Sequence, residues 1–249
     1  MSTRIDDAVV TRGQAEKMAS IPEFMAELKA IGDEFSASVR VSPLFGRFMS
    51  GQVTRNEYVA FLQQAYHYVK ATNPNLNAAA ASLRRYFGAD RAVLADRLAE
   101  HASEEFGHHI WILDDLEALG EPREKIDQVV ICPAIQAYLA YFHHLANSRH
   151  AVGFFGQAYV LEGGAVSSAD ALLKALTERS RIPNIRNAVK FTELHGIVDV
   201  GHVEELMKIL EKITDPADQR EALLSARVTA QLWLDMVEYL DRVGQPRAV

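Results

Sequence analysis

The sequence contains two eight-residue stretches, His101-Ala-Ser-Glu-Glu-Phe-Gly-His108 and His195-Gly-Ile-Val-Asp-Val-Gly-His202, that share one pattern. In both, an acidic residue follows the first histidine by four positions, and a glycine precedes the second histidine. An α-helix turns by about 100° per residue, so the two histidines and that acid fall within about 60° of one another. Each stretch is therefore predicted to be helical, with two imidazoles and one carboxylate along one stripe. Two such stripes facing each other across a bundle would form a metal site.

The repetition of this pattern is not expected by chance. With 9 His and 33 Asp and Glu among 249 residues, random placement gives about 0.04 occurrences of the spacing. A single histidine in a protein usually lies on the surface or at the edge of the core, and either stretch alone would be interpreted in that way. The pair of stretches favours a metal centre instead.

Composition places the chain among globular proteins and excludes several functions. The chain is 49% hydrophobic and 24% charged, and its net charge of −7 disfavours nucleic acid and anionic membranes as partners. Cys132 is the only cysteine, which excludes an intrachain disulfide, an iron–sulfur cluster and a thiolate zinc site. The N-terminal residues lack the apolar segment of a signal peptide, and no apolar run reaches the roughly 18 residues of a membrane span. We expect a cytoplasmic protein.

The chain is expected to form one helical domain. Residues 1–20 are interpreted as a flexible polar leader, and 21–249 as the domain. No sustained alternation of polar and apolar residues and no hairpin signal indicates a strand. The expectation is an all-α, single-domain bundle of seven to nine helices.

Several helix boundaries can be predicted from local signals. Thr54 and Glu57 form a capping box that begins a helix, and Asn73-Pro74-Asn75 is predicted to interrupt it. The two histidine stretches are each predicted to lie within one continuous helix, the first over 90–119 and the second over 183–213.

A third helix supplies a further carboxylate. Glu162 is the only acid in the apolar and small-residue run from Phe154 to Val166. A lone glutamate on an apolar helix face is costly to bury unless it is paired or bound to a metal. The alternative role is a pair with an arginine or a tyrosine hydroxyl. Gly163 and Gly164 would allow a ligand or another helix to approach closely.

The number of donors favours two metals. Imidazole and carboxylate together suit iron, manganese or zinc. An open zinc site usually has three protein ligands, whereas the two stretches offer six candidates. That surplus favours two metals bridged by carboxylates, as helical bundles hold them.

Three elements, in this order, resemble the haem-oxygenase-like diiron oxidases and oxygenases. They are Glu-Glu-Phe-Gly-His over 104–108 with the WILDDLEALG that follows soon after, Tyr-Val-Leu-Glu-Gly-Gly over 159–164, and the stretch 195–202. The resemblance covers 55–240. It implies a seven-helix fold and a non-haem diiron centre, with two Fe(II) ions and O2 as co-substrate. Members oxidise amino-acid-like or fatty-acid-like substrates, typically in natural-product biosynthesis, by N-oxygenation, desaturation or oxidative C–C cleavage.

The resemblance also implies a set of metal ligands. Carried over by position, the ligands are Glu105, His108 and His202 on one iron, and Glu162, His195 and Asp199 on the second. His101 stands where some members carry a carboxylate, so it is a candidate ligand or a partner behind the ligands. Glu104 is the alternative to Glu105. Tyr159 and His67 are candidate pocket residues.

Other functions stay open. The run 159–164 also resembles bacterial haem oxygenases, but those need a proximal histidine near the N-terminus, and the first histidine here is His67. A cofactor-free enzyme of the same fold, similar to pyrroloquinoline-quinone synthase or the thiaminase-like hydrolases, would leave the donor set unexplained. Cys132 also lies outside any matching nucleophile motif. A helical interaction module would have neither metal nor pocket. A small-molecule substrate, an electron donor and a homodimer are compatible partners, and no motif identifies the substrate.

Overall fold

The computed structural model describes residues 20–244, apart from the side chains of Val198 and Val200. Within this range the chain forms nine α-helices and no strand, which confirms the all-α prediction. The helices are α1 Ile21–Val41, α2 Pro43–Ser50, α3 Arg55–Phe87, α4 Ala92–Glu104, α5 His108–Ala118, α6 Pro133–Ala146, α7 Phe154–Lys174, α8 Lys190–Leu210 and α9 Pro216–Gly244. The predicted leader, apart from its last residue, lies outside the described residues.

The helices enclose one apolar core. On α1 the buried residues Phe24, Leu28, Ile31 and Phe35 recur every three or four positions, which aligns them on the face toward the bundle. The long helix α3 packs against α4, α5 and α6, and α7 packs against α1, α8 and α9. Helix α9 packs against α1, α6 and α7, so α3, α7 and α9 connect most of the other helices.

A close approach of α7 and α9 depends on one glycine. A Cβ at Gly156 would overlap the backbone carbonyl of Ala222 on α9. Because no side chain separates the two backbones, α7 runs deep in the bundle. Glu162 follows less than two turns later and is buried there.

The predicted interruption at Pro74 is wrong, because α3 continues through it as one helix of 33 residues. Proline removes one hydrogen bond of the ladder, at a cost of about 3 kcal/mol. Val69 before the proline and Leu76 and Ala79 after it are all buried in the core. Packing on both sides of the proline outweighs that local cost.

The first motif helix, predicted over 90–119, is divided into two. Helix α4 ends at Glu104 and α5 begins at His108. Gly107 between them has φ of 88°, a left-handed conformation that ends a helix and that residues with a Cβ rarely adopt.

The second motif helix also begins later than predicted, at Lys190 instead of residue 183. The buried carboxylate of Asp115, on α5, accepts hydrogen bonds from the backbone N–H groups of Lys190 at 2.8 Å and Phe191 at 2.9 Å. These N–H groups lack partners within α8, so a side chain from another helix caps its first turn.

A membrane-spanning segment would need a long, almost uncharged apolar helix. None of the helices within residues 20–244 meets that requirement.

Candidate metal centre

The two histidine stretches meet at the centre of the bundle and cross in opposite directions. The first histidine of one stretch pairs with the last of the other: the ring centroids of His101 and His202 are 5.5 Å apart, and those of His108 and His195 are 4.9 Å apart. Each end of the cluster therefore contains one imidazole from each stretch.

Three groups of side chains have donor atoms close enough together to hold a metal ion. Within each group the donor atoms lie within 4.8 Å of one another. The groups are His101, Glu162 and His202; Glu105, His108 and His195; and Glu105, Asp199 and His202. The first two share no residue and have the same composition, two imidazoles and one carboxylate, which is the donor set of many non-haem iron sites. The third group connects them.

This grouping differs from the one that the resemblance implies. Glu162 lies 3.0 Å from Nε2 of His101 and groups with His202, whereas His195 groups with Glu105 and His108. The sequence does not reveal this arrangement, because it depends on the antiparallel crossing of the two stretches. His101 takes part in one of the groups instead of lying behind them.

The two neighbouring glutamates have different surroundings. Glu105 is buried, and its carboxylate lies 3.1 Å from Nδ1 of His108 and 3.6 Å from Nε2 of His101. Glu104 forms an ion pair with Arg97 at 3.0 Å, and its carboxylate lies 3.7 Å from Nε2 of His202. The structure thus places Glu105 among the donors and Glu104 behind His202.

The imidazoles keep the central carboxylates ionised. Burial by itself raises the pKa of Glu105, but the neighbouring imidazoles of His101 and His108 outweigh it and hold the pKa well below its usual range. The pKa of Asp199 is likewise raised by burial and lowered further by His195 and His202. Burial lowers the pKa of His101, but the charges of Glu162 and Glu105 outweigh it and raise that pKa to about 10. Because ligand carboxylates must be ionised and ligand imidazoles neutral, a metal ion bound here would displace the proton of His101.

Several buried nitrogen atoms at the centre have no hydrogen-bond partner among residues 20–244. They are Nε2 of His101, Nε2 of His195 and Nδ1 of His202. Nε2 of His101 approaches Glu162 closely but without the geometry of a hydrogen bond. Unpaired buried polar atoms are costly and need an explanation. Their convergence with ionised carboxylates fits a bound metal, and the residues present therefore suit iron.

Aromatic rings hold the histidines in place. The ring of Trp111 stacks on that of His108 at 4.0 Å between centroids and contacts His195 edge-on at 5.6 Å. The ring of Phe191 also packs edge-on against that of His195, with 4.6 Å between the ring centroids. Trp111 could be assigned from the sequence only to the core, since nothing in the local pattern shows that it contacts the donors.

A largely apolar cavity of about 360 Å³ opens beside the donors. Donor residues His101, Glu105, Glu162, His195 and Asp199 form part of its wall. The remainder comes mainly from α1, α2, α3 and α7. The cavity gives a small organic molecule access to the metal-binding atoms.

The two residues expected to line a pocket, Tyr159 and His67, are not among the residues that line this cavity. Tyr159 turns toward α1, where its ring lies 3.0 Å from the position of a Cβ on Gly32. His67 packs edge-on against Tyr66, and burial followed by the charge of Lys70 lowers its pKa. The direction in which each side chain points depends on how its helix is rotated about its own axis, and the identity of a single residue does not reveal that rotation.

Sequence reasoning missed most of the cavity wall, including Gln157, Thr192 and Arg40. The one sequence feature that could have indicated a cavity at this place is the run of small residues on α7. Gly164 lies on the cavity, close to the ring of Phe35.

Several solved structures share this fold. A domain of unknown function with a heme oxygenase-like fold from Shewanella denitrificans has a TM-score of 0.76 at 20% identity, over 92% of this chain and 95% of that one. A TenA homologue from Pseudomonas syringae has a TM-score of 0.73 at 12% identity, over 92% and 98%. Heme oxygenase-1 from the cyanobacterium Synechocystis, in complex with heme, has a TM-score of 0.63 at 16% identity, over 88% and 93%. At these identities the likeness shows the fold alone.

Fold and donor cluster together define a haem-oxygenase-like helical protein with a candidate metal centre. A family model described as an iron-containing redox enzyme matches residues 59–234, most of the chain and all of the donor residues. The chain belongs to this family, as its sequence motifs indicated. A search of curated protein sequences finds no match.

Proposed function

We propose that the protein is a non-haem diiron oxidase or oxygenase that uses O2 to oxidise a small organic substrate. The observation that supports this most directly is the presence of two separate donor groups of identical composition, His101 with Glu162 and His202, and Glu105 with His108 and His195. One such group would suit a mononuclear site. Two adjoining groups, connected through Asp199, suit a pair of ions.

Iron held by these residues would supply the electrons for the reduction of O2. The chain itself holds the ligands in position. Asp199 accepts a hydrogen bond from Nδ1 of His195 at 3.2 Å, which fixes the tautomer of that imidazole. Nε2 of His195 then carries the lone pair that can bind a metal. Glu104, itself fixed by Arg97, faces Nε2 of His202 and leaves Nδ1 directed toward Glu105 and Asp199.

The surroundings also restrict water. Trp111 and Phe191 pack against the rings of His108 and His195, and the cavity, whose wall includes Phe191 and His195, is mainly apolar. A substrate that fills the cavity would displace the water that remains next to the donors. Exclusion of water protects reactive species from side reactions and strengthens electrostatic interactions at the site.

A thiaminase-like reaction has less support. Cys132 is fully buried at the start of α6, does not line the cavity, and burial raises the pKa of its thiol. Reactive cysteines have a lowered pKa and an accessible sulfur atom. Such a reaction would also leave the unpaired imidazole nitrogens unexplained.

Metal content tests the proposal. Protein reconstituted with Fe(II) under nitrogen should contain close to two irons, and anomalous scattering at the iron edge should give two peaks. His202→Ala and Glu162→Ala should each lower the iron content, and both should reduce O2 consumption with substrate. Unchanged iron content in both variants would contradict the assignment.

Tryptophan fluorescence provides an independent reading of the site. Because Trp111 stacks on His108, iron binding should quench its emission. The matched control is Trp111→Phe, which retains only Trp233 and should show a much smaller change. Iron uptake with equal quenching in both proteins would argue against a metal next to His108.

A further inference from the structure

A second cleft, of about 700 Å³, opens at the end of α2 and shares no wall residue with the cavity beside the donors. One wall is the segment 50–55, which connects α2 to α3, and the other is the segment 179–183. Gly51, with φ of 73°, allows the two walls to meet, because a Cβ there would lie 2.6 Å from the backbone carbonyl carbon of Arg179. The cleft is therefore formed by two backbone segments in direct contact.

The charged residues in the walls of this cleft are all arginines. They are Arg55, Arg179 and Arg181, and no acidic residue belongs to either wall. The chain as a whole is acidic, with a net charge of −7, so this local charge is opposite to that of the molecule. A cleft lined by charges of one sign raises the local concentration of ions of the other sign. The cleft therefore favours an anion.

Two of the three arginines have no carboxylate partner in the described part of the chain. Arg55 pairs with Glu121 at 2.6 Å, so its charge is already compensated. Arg179 donates a hydrogen bond to the backbone carbonyl of Met49 at 3.1 Å and forms no ion pair with a residue between 20 and 244. Arg181 has neither a hydrogen bond nor an ion pair within that range. Two guanidinium groups thus lie at one cleft without a counter-charge.

The number of uncompensated guanidinium groups indicates the charge of the ligand. A guanidinium binds a carboxylate or a phosphate through two parallel hydrogen bonds. A phosphate monoester has three acceptor oxygens and a charge of about −1.5 to −2 at neutral pH, which suits two guanidinium groups. A carboxylate has a single charge and would leave one of them uncompensated. The cleft therefore suits a phosphate monoester better than a carboxylate.

The other wall residues indicate the remainder of the ligand. They are Ser50, Gly51, Gln52, Val53, Thr54, Ile182 and Pro183, and none is aromatic. Proteins commonly hold nucleobases by stacking them on aromatic side chains, which this wall does not offer. The exposed amide of Gln52 has no hydrogen-bond partner within residues 20–244, so it can bind a hydroxyl group. At about 30 Å³ for each non-hydrogen atom, the cleft has room for far more than a phosphate ion alone.

We propose that this cleft binds a small phosphate monoester without an aromatic ring. Arg179 and Arg181 hold the phosphate, and Gln52 contacts the hydroxylated remainder. Because the cleft shares no residue with the cavity beside the donors, this ligand is distinct from the oxidised substrate, and the inference does not depend on iron. Met49 lines that cavity, and its carbonyl accepts the hydrogen bond from Arg179. The phosphate would therefore lie next to the wall of the donor cavity.

Calorimetry with glycerol phosphate tests this site. The full-length protein is titrated at low salt, in a buffer without phosphate, with glycerol phosphate, inorganic phosphate and glycerol. The wild-type protein should bind glycerol phosphate, bind inorganic phosphate more weakly, and not bind glycerol. Arg181→Gln should weaken glycerol phosphate binding about fivefold, as expected for the loss of one exposed charged pair. The matched control is Arg186→Gln, an exposed arginine outside the cleft, which should leave the affinity unchanged.

A second variant tests the position of the ligand through repulsion. Gln52→Glu places a carboxylate in the wall and should weaken glycerol phosphate binding at least as much as Arg181→Gln. Gln128→Glu, the same change at an exposed position outside the cleft, should have no effect, and thermal midpoints confirm that all variants fold. Equal losses in Arg181→Gln and Arg186→Gln would reveal only an effect of net charge and would overturn the site. If the wild-type protein binds no glycerol phosphate, or binds inorganic phosphate more tightly, the assignment to a phosphate monoester is wrong.

Discussion

Glu104 and Glu105 are adjacent acids with different roles in the structure. Glu105 contacts the imidazoles of His101 and His108, and it belongs to two of the donor groups. Glu104 is paired with Arg97 and approaches the donors only through His202. The sequence offers no means of choosing between them, because both lie near the donor stripe.

Glu105→Gln is therefore expected to remove at least one of two irons at saturating Fe(II), because an amide is a much weaker ligand than a carboxylate. Glu104→Gln should retain both irons at saturation and only weaken Fe(II) binding, by roughly 10- to 100-fold. Substitution of a residue that contacts a metal ligand commonly has an effect of this size. Elemental analysis and an Fe(II) titration distinguish these results. Equal losses in the two variants would contradict the separate roles.

At the scale of the helices, the two stretches are less alike than their shared pattern suggests. The glycine of the first, Gly107, has φ of 88° and separates α4 from α5. The glycine of the second, Gly201, lies inside α8, is exposed, and a Cβ there would contact nothing within 4 Å. The same residue thus interrupts a helix in one copy and is a neutral position in the other.

Gly107→Ala should lower the free energy of unfolding by about 1–2 kcal/mol, since a Cβ is unfavourable in a left-handed conformation. Gly201→Ala should raise it by about 0.5–1 kcal/mol, because alanine is favoured over glycine within a helix. Urea denaturation of the two variants measures both changes. A loss of stability in Gly201→Ala comparable to that in Gly107→Ala would show that the two glycines are equivalent.

The cap that Asp115 provides for α8 makes stability depend on pH. Burial is the main cause that raises the pKa of Asp115 to about 6, above the usual 3.8. Between those values the folded protein retains a proton that the unfolded chain has released, so the free energy of unfolding falls as pH rises from 4 to 6. The fall from this group is about 2 kcal/mol.

Asp115→Asn removes the titrating group, so the dependence between pH 4 and 6 should become smaller. The variant should also be less stable above pH 6, because an amide oxygen replaces only one of the two acceptors that bind the N–H groups of Lys190 and Phe191. Chemical denaturation of metal-free protein at several pH values measures both effects. An unchanged slope in the variant would show that another group titrates.

At the scale of the whole molecule, Arg47 connects three helices. Its guanidinium on α2 binds Glu57 on α3 and Asp241 on α9, both at 2.7 Å. Glu57 is 4% exposed, and its carboxylate also accepts hydrogen bonds from the backbone N–H and the hydroxyl of Thr54. Residues of all three helices also line the cavity.

Arg47→Met should lower the free energy of unfolding by about 3 kcal/mol, because it leaves the buried Glu57 charge uncompensated. Lys29→Met breaks the exposed pair with Asp33 and should have no measurable effect. Thermal or urea denaturation compares them. If Arg47→Met/Glu57→Leu is no more stable than Arg47→Met alone, the buried charge is not the cause.

The electron donor, the homodimer and the cytoplasmic location expected from the sequence stay predictions. Each depends on surfaces or partners beyond a single chain. Within residues 20–244, the helical class and the capping box at Thr54 follow from local patterns, and the structure agrees with them.

The sequence by itself determined the residues of the candidate site and the class of the fold. Helical periodicity and donor chemistry are local properties, so the histidines and the buried Glu162 could be identified without coordinates. The tertiary structure alone decided which donors meet, where the first motif helix ends, and where the cavity runs. These features depend on the antiparallel crossing of the stretches and on the rotation of each helix about its axis. Contacts between distant segments determine both, and no pattern within one helix encodes them.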